Sequence, residues 1–209
     1  MMRTKLFQLS LILITVLTLL VSCQKEIDGT MDGVINPANL TPKVGTIWTY
    51  SYYWWNSPGG TTNAKTINHV ARSEETIGAE KWLRIVDVET DTTVYFLQVK
   101  ADGLYHYVNN NAYLLCKYPA AINDTYTSFI GGSTSNFTVR GVNDTTATAI
   151  GSIPLTKYEA VKAGDIIDVL WYNKNSWIVW KYQYARITIP IPTNVYYLIN
   201  KMFLEKIVY

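Results

Sequence analysis

The stretch Ile47-Trp48-Thr49-Tyr50-Ser51-Tyr52-Tyr53-Trp54-Trp55 is the clearest structural signal in this chain of 209 residues. Side chains on a β-strand alternate between the two faces of a sheet. Every even position of the stretch is aromatic, whereas the odd positions mix Thr49 and Ser51 with aromatic residues. Aromatic residues are also enriched in strands. The stretch therefore predicts a β-strand with one wholly aromatic face.

Short alternating runs continue from this strand to the C-terminus, separated by turn signals such as Ser57-Pro58-Gly59-Gly60 and Asn109-Asn110-Asn111. The segment from Ser152 to Gly164 fits a capped helix and an alternating strand, and the strand is favoured. We expect an all-β fold with a single antiparallel domain of about 10–12 strands. Its shape is either a strongly curved sheet, like a half-barrel, or a β-sandwich, because alternation does not distinguish the two.

The chain also contains a faint internal repeat. Pro42 to Trp48 resembles Pro119 to Tyr126, and the Ile77-Gly78 pair has a counterpart in Ile150-Gly151. Two β-halves with the same strand connectivity would produce this pattern, and so would chance.

The N-terminus has the three parts of a secretory signal, which are a basic start, an apolar centre and a small-residue exit. Arg3 and Lys5 precede the apolar run Leu6 to Val21, which is shorter than the about 20 residues of a membrane-spanning helix. The exit, Leu20-Val21-Ser22-Cys23, resembles the lipobox of bacterial lipoproteins, whose leader is cut before a cysteine that is then lipidated. A plain signal peptide and a retained membrane helix are the alternatives.

The lipobox resemblance implies a division into a signal peptide (1–22), a flexible tether after lipidated Cys23 (23–42) and an all-β domain (43–209). Two or more acyl chains give stable anchoring, so Cys23 alone is expected to hold the protein on a membrane. By the same resemblance, Gln24 in place of an aspartate implies the outer membrane. Display on the cell surface is favoured over the periplasmic face.

A second resemblance covers most of the domain. The pattern Pro-x-x-Gly-x-x-Trp-x-Tyr from Pro42 to Tyr50, the sequence Asp-Gly-Leu-Tyr at 102–105 and a late aromatic hairpin look like uncharacterised all-β lipoproteins of Gram-negative bacteria. The resemblance implies an antiparallel fold in the outer envelope and implies no reaction.

Charge and cysteine content exclude some classes of function. Removal of Arg3 and Lys5 with the leader leaves 16 basic residues against 16 acidic ones, and there is no basic run of the kind that binds nucleic acid. With Cys23 lipidated, Cys116 is the one remaining cysteine, so that no disulfide forms within the chain. We expect Cys116 to be a buried, inert thiol.

The sequence contains no nucleophile elbow, Walker loop, zincin helix, EF-hand loop or CxxC pair. His69 and His106 fall on predicted strands, but no adjacent carboxylate motif supports a metal site. Asp165 and Asp168 bracket the start of a strand and are interpreted as solvated turn residues. We therefore expect no enzyme activity, cofactor or metal.

Aromatic residues are the one unusual feature. Trp54 and Trp55 approach one turn, and Trp177 and Trp180 follow another, where exposed rings could stack on sugars. Aromatic clusters on strands more often belong to a core.

The leading hypothesis is a noncatalytic binding or structural module on the outer membrane, with a glycan or an envelope protein as its partner. A carrier of lipid or another apolar ligand, with a cavity lined by Trp48, Tyr50, Tyr52 and the strand of Trp82, and a hydrolase with an unrecognised site are the alternatives.

Overall fold

The computed structural model describes residues 41–56, 60–162, 165–187 and 195–209. The predicted signal peptide, Cys23 and most of the predicted tether lie outside the described residues.

The described chain is all-β, as the alternating pattern predicts. The ambiguous segment after Ser152 is a strand, and no helix in the described part of the chain has the length and apolar character needed to cross a bilayer. The twelve strands are β1 (Ile47–Trp55), β2 (Thr62–Ile77), β3 (Glu80–Asp87), β4 (Thr93–Lys100), β5 (Gly103–Val108), β6 (Asn111–Lys117), β7 (Thr125–Ile130), β8 (Ser133–Thr148), β9 (Gly151–Lys162), β10 (Asp165–Asn173), β11 (Trp177–Ile187) and β12 (Val195–Val208).

All twelve strands form one antiparallel sheet in the order β6-β5-β4-β3-β2-β1-β12-β11-β10-β9-β8-β7. The first strand pairs with the last, and the two edges, β6 and β7, curl towards each other. Across this seam the Tyr126 hydroxyl donates a hydrogen bond to the Leu115 carbonyl at 2.8 Å. The sheet is therefore strongly curved and nearly closed, which is the half-barrel alternative rather than a sandwich of two sheets.

The strand layout supports the interpretation of an internal repeat. β1–β6 and β7–β12 are two runs of six consecutive strands, and the second strand of each run is 16 residues long. After each of these long strands stands a glycine with positive φ, which is Gly78 at 65° in the turn after β2 and Gly151 at 104° as the first residue of β9. A positive φ is accessible to glycine at little cost.

Because consecutive strands are antiparallel, the turns collect at two ends of the sheet. Residues 41–46 and the turn before Trp177 lie at what we call the proximal end. The last residues of β1 and the first residues of β2 and β12 lie at the opposite, distal end. Any segment that precedes residue 41 is thus joined to the domain at its proximal end.

The aromatic face of β1 forms the centre of the core. Trp48 is 2% exposed and stacks on Trp177 with ring centroids 5.5 Å apart and an interplanar angle of 25°. Its indole Nε1 donates to the Ser176 carbonyl at 3.0 Å, and the Tyr50 hydroxyl donates to the Ile178 carbonyl at 3.1 Å. These bonds satisfy the polar ends of aromatic rings that are otherwise fully buried.

Truncation of Trp48 tests the importance of this contact. We expect Trp48→Ala to lower the free energy of unfolding by about 3–5 kcal/mol, because it removes a buried ring and leaves a cavity. Ile47→Ala, on the 37% exposed neighbour, is the control and should change stability by no more than about 0.5 kcal/mol. Urea denaturation of both variants measures the difference, and equal losses would contradict a central role for Trp48.

Candidate functional site

The interior of the curved sheet is filled by side chains where the carrier hypothesis requires a cavity. Between Trp48, Tyr50, Tyr95 and Met202, the structure leaves a cavity of about 20 Å³. That volume holds about one water molecule. Trp82 lies on the other face of its strand, under Lys100 and Tyr107, and does not line this space. The described residues here leave no room for a lipid chain.

Towards the distal end the interior becomes polar, with Asp168 as its most unusual group. Its carboxylate is 1% exposed, so the interpretation of Asp168 as a solvated turn residue is wrong. The side chain points inward because Asp168 shares the inner face of β10 with the buried residues Leu170 and Tyr172. The Lys181 ammonium lies 3.8 Å away, and neither carboxylate oxygen accepts a hydrogen bond from the described residues. Burial raises the pKa of Asp168 to about 6, although Lys181 opposes the shift.

Histidine side chains in the interior are neutral near pH 7. Burial, together with the charge of Lys181, lowers the pKa of His106 to about 4, although a hydrogen bond to the Phe129 backbone opposes the shift. Burial also lowers the pKa of His69, which packs on Tyr50 at 5.4 Å, to about 4. Among the described residues, no three His, Cys, Asp or Glu side chains are grouped to hold a metal ion.

Cys116 is buried, as the sequence predicts. Burial raises the pKa of its thiol well above the usual value, which disfavours the reactive thiolate.

At the distal end an open depression of about 600 Å³ combines aromatic rings, an amide and a lysine. Residues from the last part of β1, the start of β2, the end of β11 and the start of β12 surround it. They are Tyr52, Trp54, Trp55, Lys65, Ala185, Tyr197, Ile199 and Asn200. We call this site the distal depression. Its volume lies within the range of small-molecule pockets.

The aromatic rings of the distal depression are only partly covered. Tyr52 and Trp54 form an offset stack with centroids 5.7 Å apart and an interplanar angle of 24°. Tyr52 thus covers one face of the Trp54 indole, and no second aromatic ring of the described residues packs on the other face. Asn200 donates to Gln183 at 2.7 Å, which fixes its amide near this aromatic wall.

A second aromatic surface lies on the outer face of the sheet. It consists of Tyr53, Trp171, Trp180, Tyr182 and Phe203, and we call it the outer stripe. Its rings meet edge to face, with Trp180 and Phe203 at 5.9 Å and 82° and Trp171 and Tyr182 at 4.8 Å and 62°. Since edge-to-face packing occupies the flat faces, the stripe mainly covers the sheet.

Beside the stripe lies another open depression of about 600 Å³, which we call the outer depression. It is lined by Trp171, Tyr182 and Tyr184 together with charged residues, among which are Glu159 and Asp165.

The structure separates the four tryptophans that the sequence marks as ligand-stacking candidates. Trp54 and Trp55 both line the distal depression, whereas Trp180 belongs to the outer stripe. Trp177 is 2% exposed and stacks on Trp48, so its proposed place on a binding surface is wrong. Its φ of 64° turns the ring into the interior, and the stack with Trp48 holds it there.

The sequence analysis missed Lys65, Tyr197 and Asn200 as partners of Trp54. Trp54 pairs with Asn200 across β12 and with Asn63 across β2, so that residues far apart in sequence become neighbours. A pattern within one strand contains no signal for this register.

No protein-family model matches the chain, and neither the curated proteins nor the solved structures include a significant match. The geometry alone therefore carries the functional argument.

The raised pKa of Asp168 gives a pH dependence that can be tested. A carboxyl group with a folded-state pKa above its unfolded value contributes stability at low pH, which is lost as the pH rises through about 6. We expect the stability of Asp168→Asn, relative to the wild type, to increase by up to about 3 kcal/mol between pH 4 and pH 7. The two neutral histidines titrate in both proteins, so their contribution largely cancels.

Urea denaturation at a series of pH values measures this difference. Asp165→Asn, which removes a carboxylate from the partly exposed start of the same strand, is the matched control. A parallel curve for Asp168→Asn would show that burial does not disfavour the charge of this carboxylate.

Proposed function

We propose that this protein is a lipid-anchored envelope lipoprotein that acts as a noncatalytic binding module on the outer membrane, with carbohydrate as its ligand. The lipobox-like sequence that ends at Cys23 supports the anchor. The observation that carries the binding function is the distal depression, where an accessible indole face, an oriented amide and a lysine meet in one open site.

Carbohydrate fits the chemistry of this depression. A sugar ring has an apolar face of C–H groups, which matches a flat aromatic surface such as Trp54, and a rim of hydroxyls that need hydrogen-bond partners. Asn200 and Lys65 supply polar groups at the edge of the same site. A lipid carrier would instead need an apolar cavity, and the filled interior around Trp48 and Tyr50 favours the surface site over that alternative.

The position of the depression also supports display at the end of a tether. Residues 41–46 lie at the proximal end of the sheet, whereas the depression lies at the distal end. A membrane anchor before residue 41 would leave the depression accessible to large ligands.

Protease treatment of intact cells tests the location. We expect the domain to be digested while a periplasmic marker survives, because the proposed anchor places it on the cell surface. Cys23→Ala should release the protein from the membrane fraction, since it lacks the thiol that carries the lipid. Digestion only after the outer membrane is opened would show that the domain faces the periplasm.

Binding of the lipidated protein in detergent to neutral and acidic polysaccharides tests the ligand class. We expect Trp54→Ala to weaken the affinity for a bound polysaccharide by about tenfold or more, since it removes the stacking face. Trp54→Phe should retain part of the affinity. Ile122→Ala, on a 62% exposed residue far from the depression, is the surface control.

Thermal melts must show that the Trp54 variants remain folded. Unchanged affinity in folded Trp54→Ala would remove the distal depression as the binding site.

A further inference from the structure

No carboxylate of the described residues lines the distal depression, whereas Lys65 does. β1 contains no charged residue, and β11 contains no acidic one. β12 contains no acidic residue before Glu205, which lies near the proximal end. The nearest buried carboxylate on the inner face, that of Asp168, lies on β10 and has Lys181 3.8 Å away.

One lysine supplies positive charge inside the depression, because Lys65 lines it directly. Lys201 lies on the outer face of the sheet, opposite Trp54, where its ammonium is 4.9 Å from the centre of the Tyr53 ring and 5.5 Å from that of Trp55. Among the described residues, no carboxylate lies within ion-pair distance of either lysine, whereas Lys100, Lys117 and Lys157 each have such a partner.

The outer depression provides an internal comparison. Its volume is also about 600 Å³ and it is also lined by aromatic rings, but Glu159 and Asp165 stand at its edge. Lys157, which lines it too, is already paired with Glu159 at 3.0 Å. An anionic ligand would meet carboxylates there and the unpaired Lys65 at the distal depression, so charge distinguishes two sites of similar size and aromatic content.

We propose that the distal depression binds an acidic sugar, in which a carboxylate lies next to the ring face that stacks on Trp54. This inference rests on the proposed carbohydrate-binding function and specifies its ligand. The ring of a uronic acid offers a C–H face for the indole, and its carboxylate pairs with Lys65, which lines the same depression. A charge-assisted hydrogen bond from an ammonium to a carboxylate is stronger than one between neutral groups.

The same residue types also suit a membrane interface, where tryptophan, tyrosine and lysine are enriched. The depression lies at the end of the sheet opposite residues 41–46, to which the proposed anchor is joined, and this position favours a sugar over the membrane surface. Binding to lipid vesicles is therefore an outcome that the experiment must distinguish.

The experiment compares uronate polysaccharides with their carboxyl-reduced forms, which retain the linkage and the ring but lose the charge. Polygalacturonate, alginate and hyaluronate are each presented to the lipidated protein in detergent, at low and at high salt. We expect at least one acidic polymer to bind about tenfold more tightly than its reduced form. The difference should shrink at high salt, because salt screens exposed charges.

A variant at Lys65 identifies the group responsible. Lys65→Gln should lower the affinity for the acidic polymer about tenfold and leave the affinity for the reduced form unchanged. Lys206→Gln, an exposed lysine on β12 near the proximal end, is the matched control and should change neither.

The outcomes separate the two proposals. Equal binding of acidic and reduced polymers, lost in Trp54→Ala, would retain the carbohydrate function and overturn the preference for acidic sugars. Binding to none of the polymers would overturn both proposals. Binding to vesicles of anionic phospholipid without binding to any polymer would assign the depression to the membrane surface and would overturn both as well.

Discussion

The contact between Trp48 and Trp177 is the interaction on which the rest of the structure depends. β1 is hydrogen-bonded to β2 on one side and to β12 on the other, and the β1–β12 ladder is where the two six-strand halves join. The Trp48 ring reaches beyond β12 to the turn between β10 and β11, where it stacks on Trp177 and donates to the Ser176 carbonyl. One side chain thus ties β1, at the junction of the two halves, to the start of β11 across the interior of the curved sheet.

This curvature also explains why the interior changes character from end to end. Aromatic and aliphatic side chains fill the proximal part, and their hydroxyl and indole groups donate to backbone carbonyls. Towards the distal end, Asp168 and Lys181 form a charged pair that is largely removed from water. Buried ion pairs add little to stability, because desolvation offsets their attraction.

The distribution of aromatic residues follows from the same architecture. On the outer face, five rings from four neighbouring strands cover one another edge to face and shield the sheet from water. At the distal end, Trp54 has only Tyr52 as an aromatic neighbour, since β1 ends one residue later. An indole face that would be buried in the middle of a strand is thereby left accessible. The binding site proposed here exists because the aromatic face of β1 extends to the edge of the core.

The sequence by itself determined the strands, because alternation is a local property with a period of two residues. The limits of β1, the strand assignment of β9 and the burial of Cys116 were all predicted in this way. Only the tertiary structure distinguished a curved sheet from a sandwich. It also showed that Trp177 and Asp168 are buried and that Lys65 and Asn200 lie beside Trp54. Those features depend on the register between strands that are far apart in sequence. Side-chain packing across the nearly closed sheet selects this register, and no single segment encodes it.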